Sequence, residues 1–305
     1  MEKKIFITGA NGLVGQWLIK ALVEEDFLVV ASGKGECRIP FHGEPSYKYI
    51  DLDITDGNKV YEKIIAESPD LIVHAAAITQ PDVCEINKVL CWNTNVTATR
   101  FLIDAAKKIN AGFVYVSTDF VFSGEEGPYS EEDLPAPVNY YGSSKLAGEK
   151  ATEESGLNWT IIRTVLVYGK TWKSERKNFV FWIRESLENK VSIRVVDDQW
   201  RTPTFVEDLV DGIVSAIKKN ATGIFHLSGK DMLTPYQLAL KTAEALQLDP
   251  SYIERVNASV FSQPAKRPPK TGFVIEKAKK ELGFDPNYID DGLQKMFTET
   301  EEYAG

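Results

Sequence analysis

"KKIFITGANGLVGQWLIKALVEE", residues 3–25, passes from a short apolar run through a glycine-rich turn into a stretch with helical spacing of its apolar residues. Glycines stand at 9, 12 and 15. In a turn that closes a strand and opens a helix, Gly9 permits the tight bend. Gly12 lets the backbone approach a pyrophosphate, and Gly15 allows close packing of helix on strand. The helix N-terminus then faces the anion. The spacing Gly-x-x-Gly-x-x-Gly departs from the dinucleotide fingerprint Gly-x-Gly-x-x-Gly, so the position of the turn after an N-terminal strand carries the reading.

Outward from this unit, short apolar runs alternate with helical stretches. "FLVVAS", "PDLIVHAA", "AGFVYVST" and "NWTIIRTVLVYG" read as buried strands, and segments near residues 13–25, 56–67, 86–109 and 142–155 as helices. The alternation predicts an α/β, Rossmann-like doubly wound parallel sheet with ligands beyond the carboxyl ends of its strands. After Tyr168 the pattern loosens into the polar run "GKTWKSERKN", helices at Phe179–Asn189 and Phe205–Lys219, a basic proline loop "PAKRPPK" and two further helices. The expected division is a nucleotide-binding domain over 1–168, with 204–228 returning to it. A smaller C-terminal substrate-binding lobe then comes from 169–203 and 229–305.

With 305 residues, 43% of them hydrophobic, the chain can bury a large core. A net charge of −9 disfavours nucleic acid and anionic membrane as partners. The start "MEKKIFITGA" lacks the apolar length of a signal peptide or membrane span and reads as cytoplasmic. Cys37, Cys84 and Cys91 form no close pair in sequence and fit a reducing compartment. His42, His74 and His226 are scattered; His74 and His226 lie in apolar runs that suit packing, and no metal site is expected.

"NYYGSSKLAGEK", residues 139–150, holds the chemistry. On a helix Tyr141 and Lys145 stand at i and i+4 on one face, where an ammonium can lower a phenol whose ordinary pKa is ~10. Such a tyrosine could protonate a carbonyl oxygen; the other reading is an ordinary helix-surface pair.

These motifs, in this order, resemble the extended short-chain dehydrogenase/reductases and, within them, the dTDP-4-dehydrorhamnose reductases. "TGANGLVG" is similar to the family's nucleotide turn, "DLDITD" to its adenine-side loop, "HAAA" to the end of its fourth strand and "NTNV" to its central helix. "VSTDFVFSG" is similar to its active-site strand, and "DDQWRTPTFVEDLV" and "RPPKTGFVIEKAKKELGF" carry the likeness into the C-terminal lobe. The resemblance implies Tyr141 as proton donor, Lys145 as its electrostatic partner and ribose ligand, and Thr118 as the hydroxyl beside the substrate oxygen. It implies a cofactor site built from Gly9, Asn11, Gly12, Leu13, Val14, Gly15, Ser32, Lys34, Arg38, Asp53, Ile54, Ala75, Ala76, Ala77 and Asn95 together with Tyr141 and Lys145. Thr118, Asp119, Asn178 and Arg201 fall on the substrate side.

An NAD-preferring second strand ends in an acid that binds the ribose hydroxyls. Here "VVASGKGECR" puts Ser32 at that place and cations, Lys34 and Arg38, after it. The expectation is NADPH, with NADH as the other cofactor the fold admits; the alternative for Lys34 and Arg38 is two solvated loop charges. Arg201 is expected to grip a diphosphate, against a surface ion pair with Asp197, Asp198 or Glu207, or a strut between lobes. Leu166, Phe120 and Arg201 replace, respectively, the Trp, Tyr and small residue usual in the rhamnose-pathway reductases. The expected partner is a nucleotide-linked 4-keto-6-deoxy sugar, and a homodimer stays open. Two other readings stand beside reduction: a sugar-nucleotide epimerase or dehydratase, and a regulatory subunit like the β-subunit of methionine adenosyltransferase.

Overall fold

The run Lys4–Thr8 forms β1, buried from Ile5 onward, and strands pair with it on both sides. The structure, a computed structural model, describes residues 3–39, 46–172 and 178–298. His42 lies outside the described residues, and the polar run 169–178 is described only at its ends. After β1 come α1 (Leu13–Glu24), β2 (Leu28–Gly33), β3 (Tyr47–Asp51), α2 (Gly57–Glu67) and β4 (Leu71–His74). Next are α3 (Pro81–Ile86), α4 (Lys88–Trp92), a π-helical turn at Asn93–Thr97, α5 (Ala98–Ile109), β5 (Gly112–Thr118), α6 (Tyr140–Glu153) and β6 (Trp159–Thr164). The chain continues through β7 (Val167–Tyr168), α7 (Phe179–Glu188), β8 (Ile193–Val196), β9 (Thr204–Phe205), α8 (Val206–Lys218) and β10 (Gly223–His226). It ends in α9 (Pro235–Ala245), β11 (Ile253–Val256), α10 (Glu276–Leu282) and α11 (Ile289–Thr298).

The main sheet has seven parallel strands in the order β10-β6-β5-β4-β1-β2-β3. Its strand order reverses between β1 and β4, and that reversal leaves a crevice at the carboxyl edge. The register brings Thr8 opposite both Ser32 and His74, and Thr118 opposite Thr164. The glycine turn and the end of "VYVST" therefore open on one edge. On one face Leu18, Ile19 and Leu22 of α1 share a core with Leu209 and Ile213 of α8. On the other, Val60 and Ile64 of α2 pack with Leu102 and Ala106 of α5.

The run "NWTIIRTVLVYG" is two strands, not one. Leu166 sits at φ 35°, in the left-handed region that non-glycine residues rarely adopt. That bend takes the chain out of the main sheet to pair β7 with β9. The expected helix near 86–109 is broken as well: Asn87, with φ −121° and ψ 73°, separates α3 from α4, and the π turn follows. Beyond the main sheet, β8 and β11 pair in parallel, and Ile183 and Leu187 of α7 pack with Ala239 and Ala243 of α9 over them. α10 instead joins the core of the main sheet through Ala278 and Leu282.

Candidate active site

Gly9 turns at φ 78°, and a Cβ there would lie 2.8 Å from the Ala76 nitrogen. A Cβ on Gly15 would meet the Gly9 carbonyl oxygen at 2.2 Å, so α1 starts directly against the turn. Gly12 is the N-cap of α1, and no side chain caps that helix. Its first-turn N–H groups are thus turned to the crevice as anion donors. Leu13 and Val14 pack on the core below.

Asn11 organises the neighbouring loop. Its amide donates to the Glu36 carbonyl (2.9 Å) and the Tyr49 hydroxyl (3.0 Å), and its oxygen accepts from the Arg38 N–H (2.9 Å). Arg38 is therefore held by its backbone beside the turn. Ser32 is buried and donates inward to the Ile7 carbonyl at 3.1 Å. Lys34 is exposed and pairs with Asp53 at 2.7 Å, so it is not a lone solvated charge. Bonds from Lys34 and Thr55 hold the Asp53 carboxyl at about 2. Ile54 is buried in the core with Leu102 and Ala98, while Ala75 and Ala76 lie against the Gly9 turn and, like Ala77 after them, are half-buried.

α6 presses on β5 because its glycines allow it. A Cβ on Gly142 would meet the Phe120 oxygen at 2.1 Å, and one on Gly148 the Tyr115 hydroxyl at 2.2 Å. Asn139 caps the helix, accepting from the Gly142 N–H at 2.8 Å. This packing brings Tyr141 against Thr118 at the end of β5. Burial pushes the phenol above its ordinary pKa, and the Thr118 hydroxyl beside it opposes that rise. The expected influence of Lys145 on the phenol needs correction. Its ammonium is anchored elsewhere, donating to the Val116 carbonyl at 2.8 Å and lying 4.0 Å from the Tyr115 ring centre. Burial pulls Lys145 down to about 7, with Glu149 favouring its charge. Both residues are buried, which removes the helix-surface alternative.

Asn95 sits in the π turn, 1% exposed. Its oxygen accepts from the Ile78 N–H (2.8 Å), and its amide donates to the Ile78 carbonyl (3.1 Å) and the Ser144 hydroxyl (2.9 Å). It ties the segment after β4 to the helix that carries Tyr141. His74 lies between the Thr8 and Thr99 hydroxyls at 2.7 and 3.0 Å, and burial pulls its pKa to about 3. His226 stacks on Phe273 with ring centres 3.8 Å apart. Both are packing residues.

On the substrate side, Asn178 caps α7, accepting from the Phe181 N–H at 3.2 Å and donating to the Gly169 carbonyl at 2.6 Å. Arg201 is 6% exposed, and its partner is none of the three acids weighed from sequence. It donates to the carbonyls of Trp200 (2.7 Å) and Pro268 (2.7 Å) and faces Asp119 at 3.7 Å. That is the geometry of a strut. Sequence reading also missed the buried Glu149–Arg163 pair, joined through two bonds of 3.0 and 2.7 Å, and Thr271, which donates to Asp119. A glutamate one turn beyond Lys145 was the available signal for the pair.

The sequence from residue 3 to residue 302 matches the family model described as RmlD substrate binding domain. The chain belongs to this family. Among its relatives, the probable low-salt glycan biosynthesis reductase Agl14 of Haloferax volcanii is 30% identical over 98% of this chain and 99% of its own. The methionine adenosyltransferase 2 subunit beta of Pongo abelii is 33% identical over 85% of this chain and 76% of its own. Among solved structures, dTDP-4-dehydrorhamnose reductase from Bacillus anthracis in complex with NADP superposes with a TM-score of 0.86, at 30% identity, covering 98% of this chain and 100% of that one. These reductases support an NAD(P)-dependent oxidoreductase of the extended short-chain type. The glycine cradle and the uncapped start of α1 fit a dinucleotide pyrophosphate. Among the described residues no helix is long and apolar enough to cross a membrane.

Proposed function

We propose that the chain reduces the keto group of a nucleotide-linked 4-keto-6-deoxy sugar with NADPH. The observation that carries this reading is the convergence of the Thr118 hydroxyl and the Tyr141 phenol at the sheet edge that also holds the Gly9 turn. NADPH, when bound, supplies the hydride. Gly9, Gly12, Gly15 and the N-terminus of α1 would hold its pyrophosphate, Lys34 and Arg38 its 2′-phosphate, and Asp53 and Ala75–Ala77 the adenine side. Tyr141, kept protonated by burial, would give its proton to the carbonyl oxygen as negative charge develops there. Lys145 and Asn95 keep α6 and the segment after β4 in register with it. In this division of labour, 1–168 and 204–228 bind the nucleotide cofactor, and 169–203 with 229–305 shape the sugar pocket around Asp119, Asn178 and Arg201.

A second reading, a regulatory subunit, is favoured by the 33% identity to the methionine adenosyltransferase subunit. Incubating the purified chain with NADPH and a panel of keto-sugar nucleotides separates the two. Reduction expects substrate-dependent NADPH oxidation with at least one member; NADPH binding without turnover of any member would favour the regulator.

A further inference from the structure

The proton of the Thr118 hydroxyl is already committed. Thr118 Oγ1 donates to Asp119 Oδ1 at 3.0 Å, and a carboxylate only accepts. Its oxygen accepts from the Phe120 N–H at 3.2 Å and lies beside the Tyr141 phenol. The carboxylate is in turn locked from the C-terminal segments. Thr271 donates to Oδ2, and Arg201 Nε faces the same oxygen at 3.7 Å. The guanidinium cannot drift, because the carbonyls of Trp200, Pro268 and Pro269 hold its remaining nitrogens at 2.7 to 3.4 Å. All four of Thr118, Asp119, Arg201 and Thr271 are buried.

We propose that Asp119, fixed by Arg201 and Thr271, is a positioning residue that sets the direction of the Thr118 hydroxyl and through it whether that proton is available to Tyr141. The inference rests on the reading of Tyr141 as proton donor, and it turns the expected diphosphate ligand Arg201 into part of the acid's support. With Asp119 ionised, the Thr118 proton is drawn to the carboxylate and withheld from the phenol, which stays protonated. With the carboxylate neutralised, the Thr118 proton is released toward Tyr141, where it stabilises phenolate. Burial pushes the Asp119 carboxyl upward against the pull of Arg201. The other groups facing Tyr141 are the thiols of Cys84 and Cys91, and Arg201 also faces Arg267. No charge on those elements duplicates the contact of Asp119 with Thr118.

Asp119→Asn reverses the bond selectively. Its amide oxygen is drawn to Arg201 and Thr271, so its NH2 faces Thr118 and turns the hydroxyl proton toward Tyr141. The direct test places 3-fluorotyrosine at Tyr141, whose more acidic phenol ionises in an accessible range, and follows its 19F resonance against pH in the protein without substrate. Asp119→Asn lowers the apparent phenol pKa by about one unit or more. In a Thr118→Val background the shift shrinks to the part owed to the lost charge alone. Equal shifts in the two backgrounds, or none in either, overturn the proposal. If Asp119→Asn does not fold, Asp119→Ala with Arg201→Met, which leaves no buried charge unpaired, gives the same comparison. In parallel, kcat should fall with Asp119→Asn in the otherwise natural chain and fall no further when added to Thr118→Val. A background-dependent 19F shift in a protein that reduces no keto-sugar would sink the reductase reading and leave the Asp119 inference standing.

Discussion

At Tyr141 burial and proton chemistry pull together: a phenol pushed above its ordinary pKa is a donor that stays loaded. Lys145 works under the opposite pressure. Its pKa falls to about 7 in the folded chain from an ordinary 10.5, so between those values the unfolded chain binds the proton that the folded chain has shed. Stability owed to this group therefore rises with pH across that window. Lys145→Met should melt higher relative to the natural chain at pH 7 than at pH 10, as thermal melts of both proteins will check. A constant difference would mean that the lysine keeps its charge in the fold. The Tyr-x-x-x-Lys pair was legible in sequence because helical spacing is fixed. The ammonium's true partner, a carbonyl of β5, was not, because that contact depends on how closely α6 settles on the sheet.

Elements here are positioned by close backbone approach and by single polar ties. The start of α1 depends on Gly15, and Gly15→Ala drives a methyl into the Gly9 carbonyl. It should cost roughly 1 to 3 kcal/mol and weaken NADPH binding by distorting the turn. Denaturant titration and cofactor fluorescence read the two effects; retention of both would put the pyrophosphate elsewhere. Asn95→Ala leaves the half-buried Ile78 N–H and carbonyl without their partner and should cost about 1 to 3 kcal/mol in the same titration. The main strands were legible because they are apolar on both faces. β3, "YKYID", was not read as a strand, because it is an edge strand with only half-buried and exposed residues. β8 falls in the strand-like run "VSIRVVDD", residues 191–198, but its partner β11 escaped, since the two pair across a long stretch of chain. The π turn is invisible to periodicity, and so was the depth of Asn95.

Across the whole molecule, two sets of charges divide the work. At the cofactor end, NADPH should bind more tightly than NADH, with the preference reduced by Lys34→Ala and raised by Asp53→Asn, which releases Lys34. A charged hydrogen bond contributes roughly 1.5 to 3 kcal/mol, more than tenfold in affinity, and equal binding of the two cofactors would contradict this. At the substrate end, Arg201→Ala leaves Asp119 buried and unpaired. Loss of one partner of such a pair costs about 3 to 5 kcal/mol, so the melting temperature should fall before any selective change in KM appears. An unchanged melting temperature with a raised KM for a nucleotide-sugar would restore the diphosphate role. Arg201 was singled out in sequence for its place in the cleft. Its partners at Pro268 and Asp119 emerge only when distant segments meet.

The central claim is that Tyr141 delivers the proton in a reductase. Steady-state oxidation of NADPH by the natural chain and by Tyr141→Phe, on whichever keto-sugar nucleotide of the panel is reduced, tests it most directly. The variant should keep its affinity for NADPH and lose about 10² to 10⁴ in kcat. A variant that turns over at the rate of the natural chain would contradict it.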